Sequence, residues 1–191
     1  MKMIDSIWNI FLCRLYKVKI GKNFRCDGRI IIQGRGGEYS IGDNVHIISK
    51  EFLNPVGGNR TVLQTLDGGR IEIGNNTGIS HATLCAREEI IIEDYVLIGG
   101  GVKIYDNDFH SLEYKNRMER PDTHIRKGVV HIKEGAFIGA HSIILKNVTI
   151  GKHSVVGAGS VVTKDVPDGE IWAGNPAKKC GIVEQTEGGV Q

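Results

Sequence analysis

From Ile132 to Pro167 the sequence repeats every six residues. The units read IKEGAF, IGAHSI, ILKNVT, IGKHSV, VGAGSV and VTKDVP. The first place is aliphatic each time, at Ile132, Ile138, Ile144, Ile150, Val156 and Val162. The fifth is small or β-branched, at Ala136, Ser142, Val148, Ser154, Ser160 and Val166. Gly139, Gly151 and Gly157 fill the second place. A helix cannot use this pattern, because its apolar face recurs at about 3.6 residues and a period of six walks around the cylinder. A simple alternating strand would need an apolar third place, where Glu134, Lys146, Lys152 and Lys164 sit. A coil with three short flat sides fits. One residue per side then points inward, and residues one full coil apart stack: Ile132 on Ile150, Ile138 on Val156, Ile144 on Val162. Neighbouring coils pair at the spacing of parallel strands, about 4.8 Å. Stacking buries an aliphatic column that no single coil could bury alone. The small fifth residue and the glycines are expected to let the chain turn each corner.

The same sixes appear earlier in weaker form, at Ile20–Arg25 and Ile41–His46, and run steadily from Ile73. One extra residue near Ile91 reads as a corner bulge. This divides the chain into a segment 1–19, a coil over 20–167 with loops near 49–65 and 105–130, and a tail over 168–191. The polar, Gly-rich end from Glu184 to Gln191 is expected to fray. In the first segment Ile4, Ile7, Trp8, Phe11, Leu12 and Leu15 share one face of a helix over about residues 3–17. That helix is read as a cover for the open end of the coil. The alternative, not favoured with only Arg14, Lys17 and Lys19 as its basic end, is a helix lying on an anionic membrane surface.

The chain suits one domain, and its net charge of +2 does not point to nucleic acid as a partner. Cys13, Cys26, Cys85 and Cys180 are far apart and form no CxxC pair, which reads as reduced thiols in a cytoplasmic protein. No stretch approaches the ~20 apolar residues of a membrane span, and Asp5, Ser6 and Asn9 interrupt any signal-like run. The loop near 105–130 is rich in reactive side chains, among them Asp106, Asp108, His110, Glu113, Arg117 and Asp122. Long loops in a compact repeat domain are usually functional or disordered.

Four features in order carry a resemblance: the repeats, the loop Asp106-Asn107-Asp108-Phe109-His110, the segment Ala158–Lys164 and the tail Gly174-Asn175-Pro176-Ala177-Lys178. Together they resemble the hexapeptide-repeat acyltransferases, nearest the sugar O-acetyltransferases of the maltose and galactoside type. The likeness is best from about Ile73 to Lys179. It implies an all-β fold: a left-handed parallel β-helix with a short N-terminal helix and an extruded catalytic loop. It also implies a homotrimer that binds acetyl-CoA between subunits, with no metal.

By that resemblance His110 is the base that takes the acceptor's proton and returns it to the CoA thiolate. Such a base is worth about 10²- to 10⁴-fold in rate. An aspartate is expected to orient its ring, and Asp106 and Asp108 are both candidates. Ala140 and Ala158 match backbone positions around the pantetheine arm and could supply oxyanion donors, worth on the order of 3 kcal/mol each. Thr163 and Lys164 match positions near the pantetheine and phosphates, and Lys178 and Lys179 could add charge for the phosphates. An Arg found in relatives a few residues after Pro-Ala-Lys is missing here. Where some relatives carry an acceptor-binding Asn, this chain has Ser80 and His81. Arg117 could bind the acceptor or form a loop salt bridge with Glu113 or Asp122. His141 and His153 occupy outward places, and His46, His124 and His131 have no motif around them. Acylation of an amino sugar or a xenobiotic would use the same scaffold. A γ-type carbonic anhydrase, or a scaffold without catalysis, is a more remote alternative; His81, His110 and His141 are too dispersed to suggest a zinc cluster.

Overall fold

The computed structural model describes residues 2–34, 36–50, 53–56, 58–119 and 121–184, with side chains from residue 5. The side chain of Ile4 and the end at 185–191, expected to fray, lie outside the described residues.

A helix, α1 (Lys2–Leu15), precedes six triangular coils. The first holds β1 (Lys19–Ile20), β2 (Arg25–Gly28) and β3 (Ile31–Gln33). The second holds β4 (Glu38–Ile41), β5 (His46–Ser49) and β6 (Val62–Thr65). The third holds β7 (Arg70–Ile73), β8 (Gly78–Ser80) and β9 (Thr83–Ala86). The fourth holds β10 (Glu89–Ile92), β11 (Leu97–Ile98) and β12 (Lys103–Tyr105). After a short α2 (Tyr114–Met118), the fifth holds β13 (Val130–Ile132), β14 (Phe137–Ile138) and β15 (Ile143–Ile144). The sixth holds β16 (Thr149–Ile150), β17 (Val155–Val156) and β18 (Val161–Val162). The first strands of the coils stack into one parallel side, the second into another, the third into a third. The architecture is a left-handed parallel β-helix.

The register is the one the repeat predicts: Ile132 pairs with Ile150, Ile138 with Val156 and Ile144 with Val162. All six side chains are fully buried, each worth about 1.5–3 kcal/mol of transfer from water. The fifth place differs from expectation. Ala136, Ser142, Val148, Ser154, Ser160 and Val166 do more than ease a corner, for they too point inward and are buried. The serines can be there because their hydroxyls find backbone partners: Ser154 Oγ donates to Gly151 O at 2.6 Å and Ser160 Oγ to Gly157 O at 2.6 Å. The glycines serve close approach between coils. A Cβ at Gly139 would sit 2.5 Å from Ala158 N in the next coil.

The tail is ordered beyond what the repeat foretells. β19 (Glu170–Gly174) joins the second side parallel to β17, and β20 (Ala177–Ile182) folds back antiparallel to it. The Gly174–Ala177 segment is the turn of that hairpin.

Helix α1 closes the open end of the coil with an unexpected face. Asn9 Nδ2 donates to Gly28 O at 2.8 Å, and Ile30 N donates to Asn9 Oδ1 at 3.1 Å. Cys13 is buried in the core, and Leu12 and Tyr16 pack against it. Of the apolar stripe, Ile7, Trp8, Phe11 and Leu15 face away, at 61%, 43%, 55% and 60% exposed. The physical reason is that the open end of a coil presents unpaired backbone donors and acceptors, which an asparagine satisfies and an isoleucine cannot.

Candidate active site

The loop between β12 and β13 leaves the coil where the third side turns to the first. Asp106 roots it. Its buried carboxylate accepts from Arg87 N and Glu88 N, both at 2.7 Å, at the corner that absorbs the extra residue near Ile91. Asp108 accepts from Lys146 Nζ at 2.6 Å. Asn107 Oδ1 accepts from Phe109 N at 2.9 Å, and Phe109, at φ 60°, packs its ring edge-on against Tyr105 at 5.1 Å. The left-handed residue swings the chain outward, so the next side chain, His110, is 69% exposed.

The carboxylate beside that imidazole is Asp122. Its Oδ2 lies 3.5 Å from His110 Nδ1 and accepts from Ser111 N at 2.8 Å; the side chain is 10% exposed. At 3.5 Å the contact is longer than a formed hydrogen bond, and such pairs often tighten only with substrate present. With Nδ1 turned to Asp122, Nε2 is left to face solvent. Neither Asp106 nor Asp108 reaches the ring, because one is committed to the Arg87–Glu88 backbone and the other to Lys146. Asp122 lies twelve residues on and comes back only because the loop folds through α2, so no local spacing marks it.

Arg117 forms neither of the loop salt bridges expected of it. Its Nη1 donates to Ser111 O at 2.9 Å and Leu112 O at 3.2 Å, bracing the backbone just after His110. His81 is 2% exposed, and its Nε2 faces Lys50 O at 3.0 Å. Ser80, at the end of β8, is half-buried at the corner between the second and third sides.

Ala140 and Ala158 follow β14 and β17 at that same second-to-third corner. Among the described residues neither N–H has an acceptor. Thr163 and Lys164 follow β18 and are exposed at the other corner, with His110 and Lys146. Lys178 is exposed on β20, while Lys179 Nζ pairs with Glu170 Oε1 at 2.5 Å. One chain therefore divides the candidate residues between two corners. The third side separates them, a span of about 15 Å at strand rise. A hollow of about 790 Å³ lies elsewhere, beside Leu15 and Lys17 at the N-terminal end. Among the described residues no group of three or more His, Cys, Asp or Glu is placed to hold a metal ion, and no helix is long and apolar enough to cross a membrane.

Residues 129–164 match the family model described as bacterial transferase hexapeptide (six repeats). Against serine acetyltransferase 2 of Arabidopsis thaliana, this chain is 35% identical over 116 residues, 60% of its own length and 32% of the relative's. Against a dTDP-3-amino-3,6-dideoxy-alpha-D-galactopyranose 3-N-acetyltransferase of Aneurinibacillus thermoaerophilus it is 52% identical over 54 residues, 28% of each. The chain spans between 28% and 56% of the length of these and other curated relatives that it matches. Among solved structures, it resembles AntD, an N-acyltransferase from Bacillus cereus in complex with dTDP and 3-hydroxybutyryl-CoA. The TM-score is 0.72 at 26% identity, over 92% of this chain and 88% of that one.

Proposed function

We propose that this chain transfers an acetyl group from acetyl-CoA to a hydroxyl of a sugar or glycan precursor, with His110 as the base. The observation that carries the reading is the His110–Asp122 pair on an exposed loop of a hexapeptide-transferase coil. A sugar hydroxyl is a weak nucleophile until its proton is taken. His110 Nε2 accepts that proton while the oxygen attacks the thioester carbonyl. Asp122 holds the ring and offsets the charge of the imidazolium. The tetrahedral intermediate collapses with loss of the C–S bond, and the imidazolium returns its proton to the departing thiolate. Asp106 and Asp108 serve as anchors of the loop rather than as partners of the ring.

The unpaired N–H groups of Ala140 and Ala158 are suited to an oxyanion or to the amides of a pantetheine arm. Thr163, Lys164 and Lys178 are exposed and free to meet the arm and the phosphates. The Ala140 and Ala158 N–H groups cannot meet His110 within one chain, because the third side lies between their corner and the one that His110 shares with Thr163 and Lys164. A threefold assembly brings one corner of a subunit against the other corner of its neighbour, so the site belongs to a homotrimer. Ser80 lies at the amide-bearing corner, which supports a contact with the acceptor.

A second reading is N-acetylation of a nucleotide-linked amino sugar. The likeness to the dTDP-amino-sugar N-acetyltransferase and to AntD favours it. An amine needs less help to lose a proton, so the two readings separate in assay. The test is acetyl-CoA with a panel of sugars and nucleotide sugars bearing hydroxyl or amino groups, read by mass spectrometry. His110→Ala should lower turnover by at least ~10²-fold while CoA binding persists. Near-normal turnover in that variant would exclude His110 as the base.

A further inference from the structure

The outer face of α1 combines two properties. Ile7, Ile10, Phe11 and Leu15 are more than half exposed, Trp8 lies beside them, and Arg14 is exposed on the same face. No acidic side chain shares that face. Asp5 points the other way and pairs with Arg29 at 2.8 Å, whose guanidinium lies 5.7 Å from the Trp8 ring centre. The charge around the helix is equally one-sided. Residues 1–30 hold seven Lys or Arg against two Asp, a balance of +5, whereas the whole chain is +2, so the remainder is −3. Lys17, Lys19, Lys22 and Arg25 are all exposed at this end. The hollow of about 790 Å³ beside Leu15 is lined by Lys17 and Lys19, with one carboxylate, Glu38, and with Arg70, which pairs with Glu72 and Glu89.

We infer that this end of the molecule docks on an anionic lipid bilayer, with α1 lying in the interface. The exposed aliphatics and Phe11 enter the headgroup–acyl boundary, Trp8 sits at headgroup level, and the lysines meet lipid phosphates. Charge complementarity selects a bilayer over a second copy. Two copies meeting through the outer face of α1 would set Arg14 against Arg14, with no carboxylate on that face to answer it. The stripe alone would suit any apolar cover; the +5 end asks for a polyanion. Nothing in this inference depends on the acetyltransferase reading.

The test is flotation of the full chain with vesicles of phosphatidylcholine alone or mixed with phosphatidylglycerol. Binding should be about tenfold or more stronger on the anionic vesicles and fall as salt rises. Phe11→Glu, at an exposed site that leaves the coil intact, should abolish flotation. Lys17→Glu with Lys19→Glu should remove only the anionic preference. Light scattering on the wild type and Phe11→Glu should give the same subunit number. Absence of flotation, equal binding to both vesicle types, or a changed subunit number in Phe11→Glu would each overturn the inference; the last would make the face a contact between chains.

Discussion

His110 and Asp122 are twelve residues apart, and no side chain between them has a motif that would announce the pair. The acidic residues nearest the histidine in sequence, Asp106 and Asp108, are the natural candidates for its partner, yet both are spoken for by the coil. The difference has a physical basis. A loop thrown out of a regular stack must be tied down at its roots, and carboxylates are good ties because they accept backbone N–H groups and pair with lysines. The carboxylate left over for chemistry is the one at the far end of the loop. Asp122→Asn should therefore lower turnover by about tenfold or more while leaving Ser111 N with an acceptor. The same logic accounts for Arg117, which braces the loop backbone.

At the scale of elements, what could be read in the sequence and what could not divides by range. The period of six specifies which side chains stack, and the register follows to the residue, because inward aliphatics one coil apart must meet. The β19–β20 hairpin, the inward turn of the fifth place and the outward turn of the α1 stripe were not legible. Each depends on where backbone groups lack partners, and that is decided only once the coils are stacked. Polar ties between coils belong to the same class. Glu93 Oε1 lies 2.7 Å from His131 Nε2 and its Oε2 accepts from Glu134 N at 2.9 Å, joining the fourth coil to the fifth. Burial pushes the Glu93 carboxyl up, but the Glu134 N–H and His131 outweigh it and hold it below its ordinary 4.5. A folded value below the unfolded one means the contribution is fully present above 4.5 and is lost as pH falls through the lowered value. Glu93→Gln should cost roughly 0.5–1 kcal/mol near neutrality, and thermal melts should show the gap closing in acid. A gap that stays constant with pH would mean that packing, not charge, is what the glutamate supplies.

For the whole molecule, the division of candidate residues between two corners has a direct consequence for assembly. If each site takes His110 from one subunit and the Ala158 N–H from the next, two inactive variants can complement. His110→Ala and Ala158→Pro, the latter removing the donor, should each be inactive alone. Co-expressed, they should recover a measurable fraction of turnover in mixed trimers, because some interfaces then pair an intact histidine with an intact amide. A mixture no more active than the sum of its parts would place the site within one chain.

The stack also acts as a ruler. From β3 to β12 the third side climbs three steps, each about 4.8 Å, so the His110 loop stands about 14 Å along the axis from the first coil. That height is set by counting coils, not by the reach of a linker. Inserting or deleting one complete coil would raise or lower the reacting groups by a single step relative to whatever grips the basic end, with their own chemistry untouched.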